Sequence, residues 1–155
     1  MPGRTSLELD RFLPYRLAVL SNTVSSAIAG ACQQRFGLTI PEWRVIAVLA
    51  MTPHLSAAEV AQRTAMGKVA VSRAVTLLRN RRRIARRTAR SDRRRSLLRL
   101  SAAGRRVYAQ VAPFALAYER ALIQPLSVRE RATLDLALRV LLDRAAELGQ
   151  PRHAD

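Results

Sequence analysis

The chain of 155 residues carries 27 basic and 11 acidic residues, a formal charge of +16, and 49% of it is apolar. That length supports one hydrophobic core but not two large independent ones. One cysteine excludes an internal disulfide, and with only two histidines beside it no structural metal site has its ligands. No apolar run approaches the roughly 18 residues of a membrane span, and the first residues, MPGRTSLELDRF, lack a signal-peptide core. A cytoplasmic protein with no membrane association and no cofactor is expected, and the scarcity of aromatics beside many Ala and Leu predicts a mostly helical fold.

In chain order, Leu13, Leu17, Leu20, Val24, Ile28 and Ala31 recur at steps of three or four, which predicts a helix with Pro14 tolerated in its first turn. Gly37 is its stop signal. Thr39 and Glu42 then form a capping box, opening a helix through Trp43, Ile46 and Leu49 that Pro53 terminates. Ser56 and Glu59 repeat the box for a short helix. A tight turn at Ala65-Met66-Gly67 leads into another helix, running from Gly67 to about Asn80. Two short helices across a tight turn have the spacing of a helix-turn-helix.

The second of these helices has two faces. Val71, Val75 and Leu78 form an inner stripe, whereas Lys68, Ser72, Thr76 and Arg79, with Arg73 beside them, form an outer one. Short hydroxyls and forked cations suit base edges and phosphates in a major groove. Two β-like runs follow, Ile84–Arg90 and Arg95–Leu100, with Ile84, Arg86 and Thr88 on one face of the first and Ser96, Leu98 and Leu100 on one face of the second. Ser91-Asp92 are turn formers between them. Arg93 and Arg94 at such a hairpin tip can reach a minor groove. Asp92 either pairs with a neighbouring arginine and shapes the tip or is simply a turn residue.

Charge follows the same division. Between Arg63 and Arg106 lie 16 basic residues, 15 of them arginine, against Asp92 alone, while the two flanks carry 11 bases and 10 acids. A genome rich in G and C accounts for arginine over lysine but not for its concentration in one segment. A localised basic block on a balanced scaffold points to a polyanion. Double-stranded DNA read at a defined sequence is the expected partner; a nucleoid or RNA-binding protein that uses the block without sequence preference is the alternative.

Several short motifs, in order, resemble the MarR family: Leu38-Thr39-x-Pro41-x-Trp43-Arg44, Ser56-x-x-Glu59-Val60-Ala61, Met66-x-Lys68, Val71-Ser72-Arg73, Asp92-Arg93-Arg94 and Leu100-Ser101-x-x-Gly104. The resemblance runs from about Phe12 to Leu148. It implies a winged helix-turn-helix transcriptional regulator, dimeric and controlled by a small ligand, with Lys68, Ser72 and Arg73 on the recognition helix and Arg94 in the wing. The fold class expected is mainly α with a small β-hairpin wing. A single domain over 1–155 would comprise a DNA-binding lobe at 38–100 and helical dimerisation segments at 12–36 and 101–148. The family's effector crevice implies Arg16, Trp43 and Tyr108 as ligand-lining residues, a cation and an aromatic wall suited to a small aromatic acid.

Two departures from the family pattern stand out. Gly67 occupies a position where Asp would cap the recognition helix. Arg82 occupies one where glycine would ease a left-handed turn, at a strain of roughly 1 kcal/mol. Arg81, Arg82 and Arg83 are expected to act as phosphate-facing or solvent-facing charges.

Beyond the hairpin, Ser101 is expected to cap a long helix containing Pro113. Ser127 and Glu130 form a third capping box ahead of Leu134, Leu138, Leu141, Ala145 and Leu148, a 4-3-4-3 seam. Such a seam packs either within the chain or against a second copy; a two-fold dimer is the economical solution for a repressor on a palindromic operator. Cys32, among small residues and without a nearby base, is expected to be a buried filler and not a redox sensor. No nucleophile–histidine motif, local carboxylate pair or phosphate loop points to an enzyme.

Overall fold

The computed structural model describes residues 7–88 and 96–149. Six helices and one antiparallel hairpin follow a short 3-10 turn at Leu9–Arg11: α1 Leu13–Phe36, α2 Ile40–Met51, α3 Ala57–Thr64, α4 Lys68–Asn80, β1 Ile84–Thr88, β2 Ser96–Leu100, α5 Ala102–Ile123 and α6 Val128–Gly149. Two compact units divide the chain, one reaching Ala115 and the other beginning at Leu116.

Local chemistry sets most of the helix ends. Helix α1 stops at Gly37, which takes φ 59° and donates its N–H to the Gln33 carbonyl at 3.1 Å. Helix α2 starts with the full capping box: Glu42 N donates to Thr39 Oγ1 at 3.4 Å, and Thr39 N donates to Glu42 Oε2 at 2.9 Å. Helix α3 repeats it, with Ser56 N donating to Glu59 Oε2 at 2.7 Å and Glu59 N to Ser56 Oγ at 3.2 Å. Helix α4 differs: Gly67 supplies no side-chain cap, as its residue type requires.

The core lies in the first unit. Leu38, Val45, Ile46 and Leu49 from the α2 region meet Val60 of α3, Val71, Ala74 and Leu78 of α4, Ile84, Leu98 and Leu100 of the hairpin, and Val111 of α5. Each large apolar side chain fully removed from water here contributes about 1.5–3 kcal/mol. Of the expected inner stripe of α4, Val71 and Leu78 are buried and Val75 half-buried, with Ala74 added. Cys32 is also buried, and burial pushes its thiol pKa up, which disfavours the reactive thiolate.

The hairpin register pairs Ile84 with Leu100, Arg86 with Leu98 and Thr88 with Ser96, which brings the two alternating sets onto one face. A third segment joins it. His54 N donates to the Leu98 carbonyl at 2.9 Å and Leu98 N to the Leu55 carbonyl at 2.7 Å, so the α2–α3 connection extends the hairpin by one bridge.

In the second unit, Ser127 and Glu130 close their capping box at 2.8 Å and 3.3 Å, and the Ser127 hydrogen bonds hold the Glu130 carboxyl below its ordinary pKa. Arg131 Nε donates to the Leu126 carbonyl at 2.9 Å, tying the α5–α6 turn. Helix α6 buries none of its side chains: Leu134, Leu138 and Leu141 remain about two-fifths exposed and Leu148 two-thirds.

Candidate nucleic-acid interface

The outer face of α4 is built by helical spacing. Lys68, Ser72, Thr76 and Arg79 recur at three or four residues and are all exposed, with Arg73 also exposed beside them. Their inward neighbours hold the helix by its opposite side, so the polar stripe is free to meet a partner.

The stripe forms one wall of a groove of about 420 Å³. Ala57 and Ala58 at the start of α3 form the second wall; Arg86, Ser96 and Leu98 of the hairpin form the third; Val71 and Val75 lie among the lining residues. The groove therefore joins Lys68, Ser72 and Thr76 to a cation that sequence reasoning did not single out, Arg86. Alternation had set Arg86 with Ile84 and Thr88 on one side of the first strand, but its pairing with Leu98, and so its place in the groove, comes from the hairpin register. Arg86 Nε donates to Ser96 Oγ across the strands, which orients the guanidinium along the hairpin. Arg73 lies on α4 outside the lining of this groove.

Not every polar group on the face is equally free. Thr76 Oγ1 donates to the Ser72 carbonyl at 3.0 Å, so its hydroxyl proton is engaged within the helix and its lone pairs remain to accept. No acid occurs in the sequence between Glu59 and Asp92. The charged residues lining the groove are Lys68, Arg79 and Arg86, all cations, with the hydroxyls of Ser72, Thr76 and Ser96 among them. The tip residues Asp92, Arg93 and Arg94 lie outside the described residues.

The turn after α4 departs from expectation. Arg81 and Arg83 are tied to the chain instead of presenting free charges. Arg81 Nη1 donates to Glu42 Oε1 at 3.2 Å and to the Gly37 carbonyl at 2.6 Å. Arg83 Nη2 donates to the Phe36 carbonyl at 3.3 Å. A buried carboxylate and two helix-end carbonyls thus accept from these guanidiniums, while Arg83 Nη1 is buried without a hydrogen-bond partner among the described residues. Arg82 adopts φ 53°, as the missing glycine implies. Its N–H reaches the Arg79 carbonyl at 2.8 Å and the next N–H, from Arg83, reaches Leu78 at 2.8 Å, the two bonds of a Schellman turn with arginine at the left-handed position. The Arg82 guanidinium has no partner among the described residues.

The residues expected to line a ligand site are partly brought together. Trp43 and Tyr108 stack with ring centroids 5.9 Å apart and planes 15° from parallel, both half-buried against the core. Arg16 is an exposed residue of α1. Tyr108 also lines a second groove, of about 400 Å³, with Leu49, Pro53, His54, Arg99 and Arg105.

A family model described as MarR family matches residues 36–95. The whole fold is similar to a MarR/EmrR family transcriptional regulator from Acinetobacter sp. ADP1, at 26% identity and TM-score 0.85, covering 91% of this chain and 99% of that one. It is also similar to the PcaV transcriptional regulator from Streptomyces coelicolor in complex with its natural ligand, at 23% identity and TM-score 0.73, covering 91% and 99%. A third similar structure is that of S. aureus MepR in complex with DNA, at 17% identity and TM-score 0.77, covering 88% and 98%. No curated protein matches the sequence.

Proposed function

We propose that the chain, whose residues 36–95 match a MarR family model and whose fold is similar to MarR-family regulators, is a DNA-binding repressor that docks α4 in a major groove and is released by a small ligand. One observation carries this reading: the exposed stripe Lys68-Ser72-Thr76-Arg79 faces outward beside the hairpin cation Arg86, on a surface whose sequence has no acid from residue 60 to residue 91. Lys68 and Arg73 supply charge for phosphates or guanine edges, and Ser72 and Thr76 supply short polar groups for base edges. Arg93 and Arg94 are proposed to enter the flanking minor groove, with Asp92 shaping the tip.

A homodimer on a palindromic site fits the apolar surface that a single chain leaves exposed. Leu134, Leu138 and Leu141 on α6, and Leu13, Leu17 and Leu20 on α1, are each about two-fifths or more exposed. A second copy is the partner that removes this area from water. Ligand control is supported by the Tyr108 groove, where an aromatic ring, an imidazole and two guanidiniums surround space for a small aromatic acid. The PcaV relative was solved with its natural ligand bound.

The test is selection of duplex DNA from a random pool by the intact protein, followed by footprinting upstream of its own gene. The expected result is one palindromic site, protected on both half-sites and released by an aromatic carboxylate. Equal affinity for selected and scrambled duplexes would favour a non-specific nucleoid protein instead.

A further inference from the structure

The corner where α1 ends, α2 begins and α4 ends is held by charge, not by apolar packing alone. Glu42 is 1% exposed, and its two oxygens take three donors. Oε2 accepts from Thr39 N and Thr39 Oγ1, both at 2.9 Å, and Oε1 accepts from Arg81 Nη1 at 3.2 Å. The same Nη1 donates to the carbonyl of Gly37, the residue that stops α1. Two residues on, Arg83 reaches the Phe36 carbonyl. From the other side, Ser101 at the start of α5 donates its hydroxyl to the Arg82 carbonyl at 2.7 Å and its N–H to the Arg83 carbonyl at 3.0 Å. Gly104 lies so close that a Cβ there would sit 2.0 Å from the Arg83 carbonyl oxygen, so the turn cannot shift toward α5.

We propose that Arg81 is a positioning residue for DNA recognition: by bridging buried Glu42 and the end of α1, it fixes the C-terminal end of α4 and so the angle at which Lys68, Ser72 and Thr76 meet the groove. The proposal rests on the DNA-binding reading above. It assigns Arg81 a role through the recognition helix, with no contact to phosphate. The physical warrant is the asymmetry of the pair. Arg81 is 45% exposed and could satisfy itself in water, whereas Glu42 is enclosed and has no comparable alternative. Removing the guanidinium therefore leaves a buried charge, and the corner rearranges to solvate it. At its other end α4 has no side-chain cap to add a hold, since its N-cap residue is Gly67.

The experiment is a salt titration of binding on a duplex selected by the native protein and on a scrambled duplex, for Arg81→Gln, Glu42→Gln and the double variant. Selectivity is the ratio of the two affinities. Arg81→Gln is expected to lower selectivity about tenfold, with the salt slope unchanged. Glu42→Gln, which changes no group that could touch DNA, should produce a similar loss, and the double variant should be no worse than either. Val111→Ala serves as the stability control, since it weakens the same core away from this corner and should keep native selectivity. Arg81→Lys retains a donor that can reach Glu42 and should recover part of the loss.

A drop of about 1 in the salt slope for Arg81→Gln on both duplexes, with Glu42→Gln behaving as native, would make Arg81 a phosphate ligand and overturn the proposal. Equal loss in the Val111→Ala control would reduce the effect to general destabilisation and overturn it as well. Failure of the DNA-binding reading itself looks different: the native protein would then show no selectivity to lose.

Discussion

Leu78 and Leu138 are both leucines on amphipathic helices, yet the first has no exposed surface and the second keeps 41% of its own. Leu78 lies in α4, where α2, α3 and the hairpin all close over it. Leu138 lies in α6, no residue of which is buried. One pattern of apolar spacing thus has two outcomes, and what separates them is whether the chain supplies its own cover. The lobe built from α2, α3, α4 and the hairpin buries its own core, whereas the α6 seam keeps its leucines exposed.

The sharpest way to break that comparison is to cut into the lobe. Leu78→Ala should cost about 3 kcal/mol of unfolding free energy, read from denaturant titration, because a closed site cannot collapse onto the missing methyls. A loss below about 1 kcal/mol would mean that the lobe is loosely packed there. Next comes the seam. Leu138→Glu with Leu141→Glu should leave the lobe's fold intact by circular dichroism but weaken self-association about thirtyfold or more, as sedimentation at micromolar concentration would show. A native protein that already sediments as a 17.2 kDa monomer would remove the reason for the exposed seam.

The smallest effect sharpens the picture at the joint. Arg82→Gly relieves a left-handed arginine but enlarges the freedom of the unfolded chain, so a net gain of about 0.5 kcal/mol is expected from thermal melts. A net loss would show that the Arg82 side chain makes a stabilising contact.

Those joints also show which parts of the structure were legible in the sequence. Capping boxes at Thr39, Ser56 and Ser127, the stop at Gly37 and the left-handed Arg82 all depend on residues within a few positions of one another, and each appears where the residue types put it. Alternation along each strand was legible for the same reason, whereas the register that pairs Arg86 with Leu98 is set by the fold. The Arg81–Glu42 pair joins residues 39 apart, and nothing local distinguishes Arg81 from Arg82. The fate of a guanidinium depends on which acceptor the fold brings to it, and that is a property of the tertiary packing. The stack of Trp43 on Tyr108 was invisible for the same reason, although both rings had been singled out. On the interface, the α4 stripe was legible as a helical period, whereas Arg86 joins it only once the hairpin folds back.

The concentration of 16 cations against one acid between Arg63 and Arg106 also has a kinetic consequence. Under the proposed function such a surface is attracted to every stretch of duplex, so a cell's whole chromosome competes with the operator for each molecule. Little protein is then free in solution, and operator occupancy follows the ratio of the two affinities and the number of copies, not the operator Kd alone. An arginine that touches only phosphate raises both affinities together and leaves that ratio nearly unchanged. Its contribution is to the search, by speeding encounter and allowing the protein to slide along the duplex before it recognises a site. Two arginines a few residues apart can therefore differ in kind, one governing how soon an operator is found and the other how long it is kept.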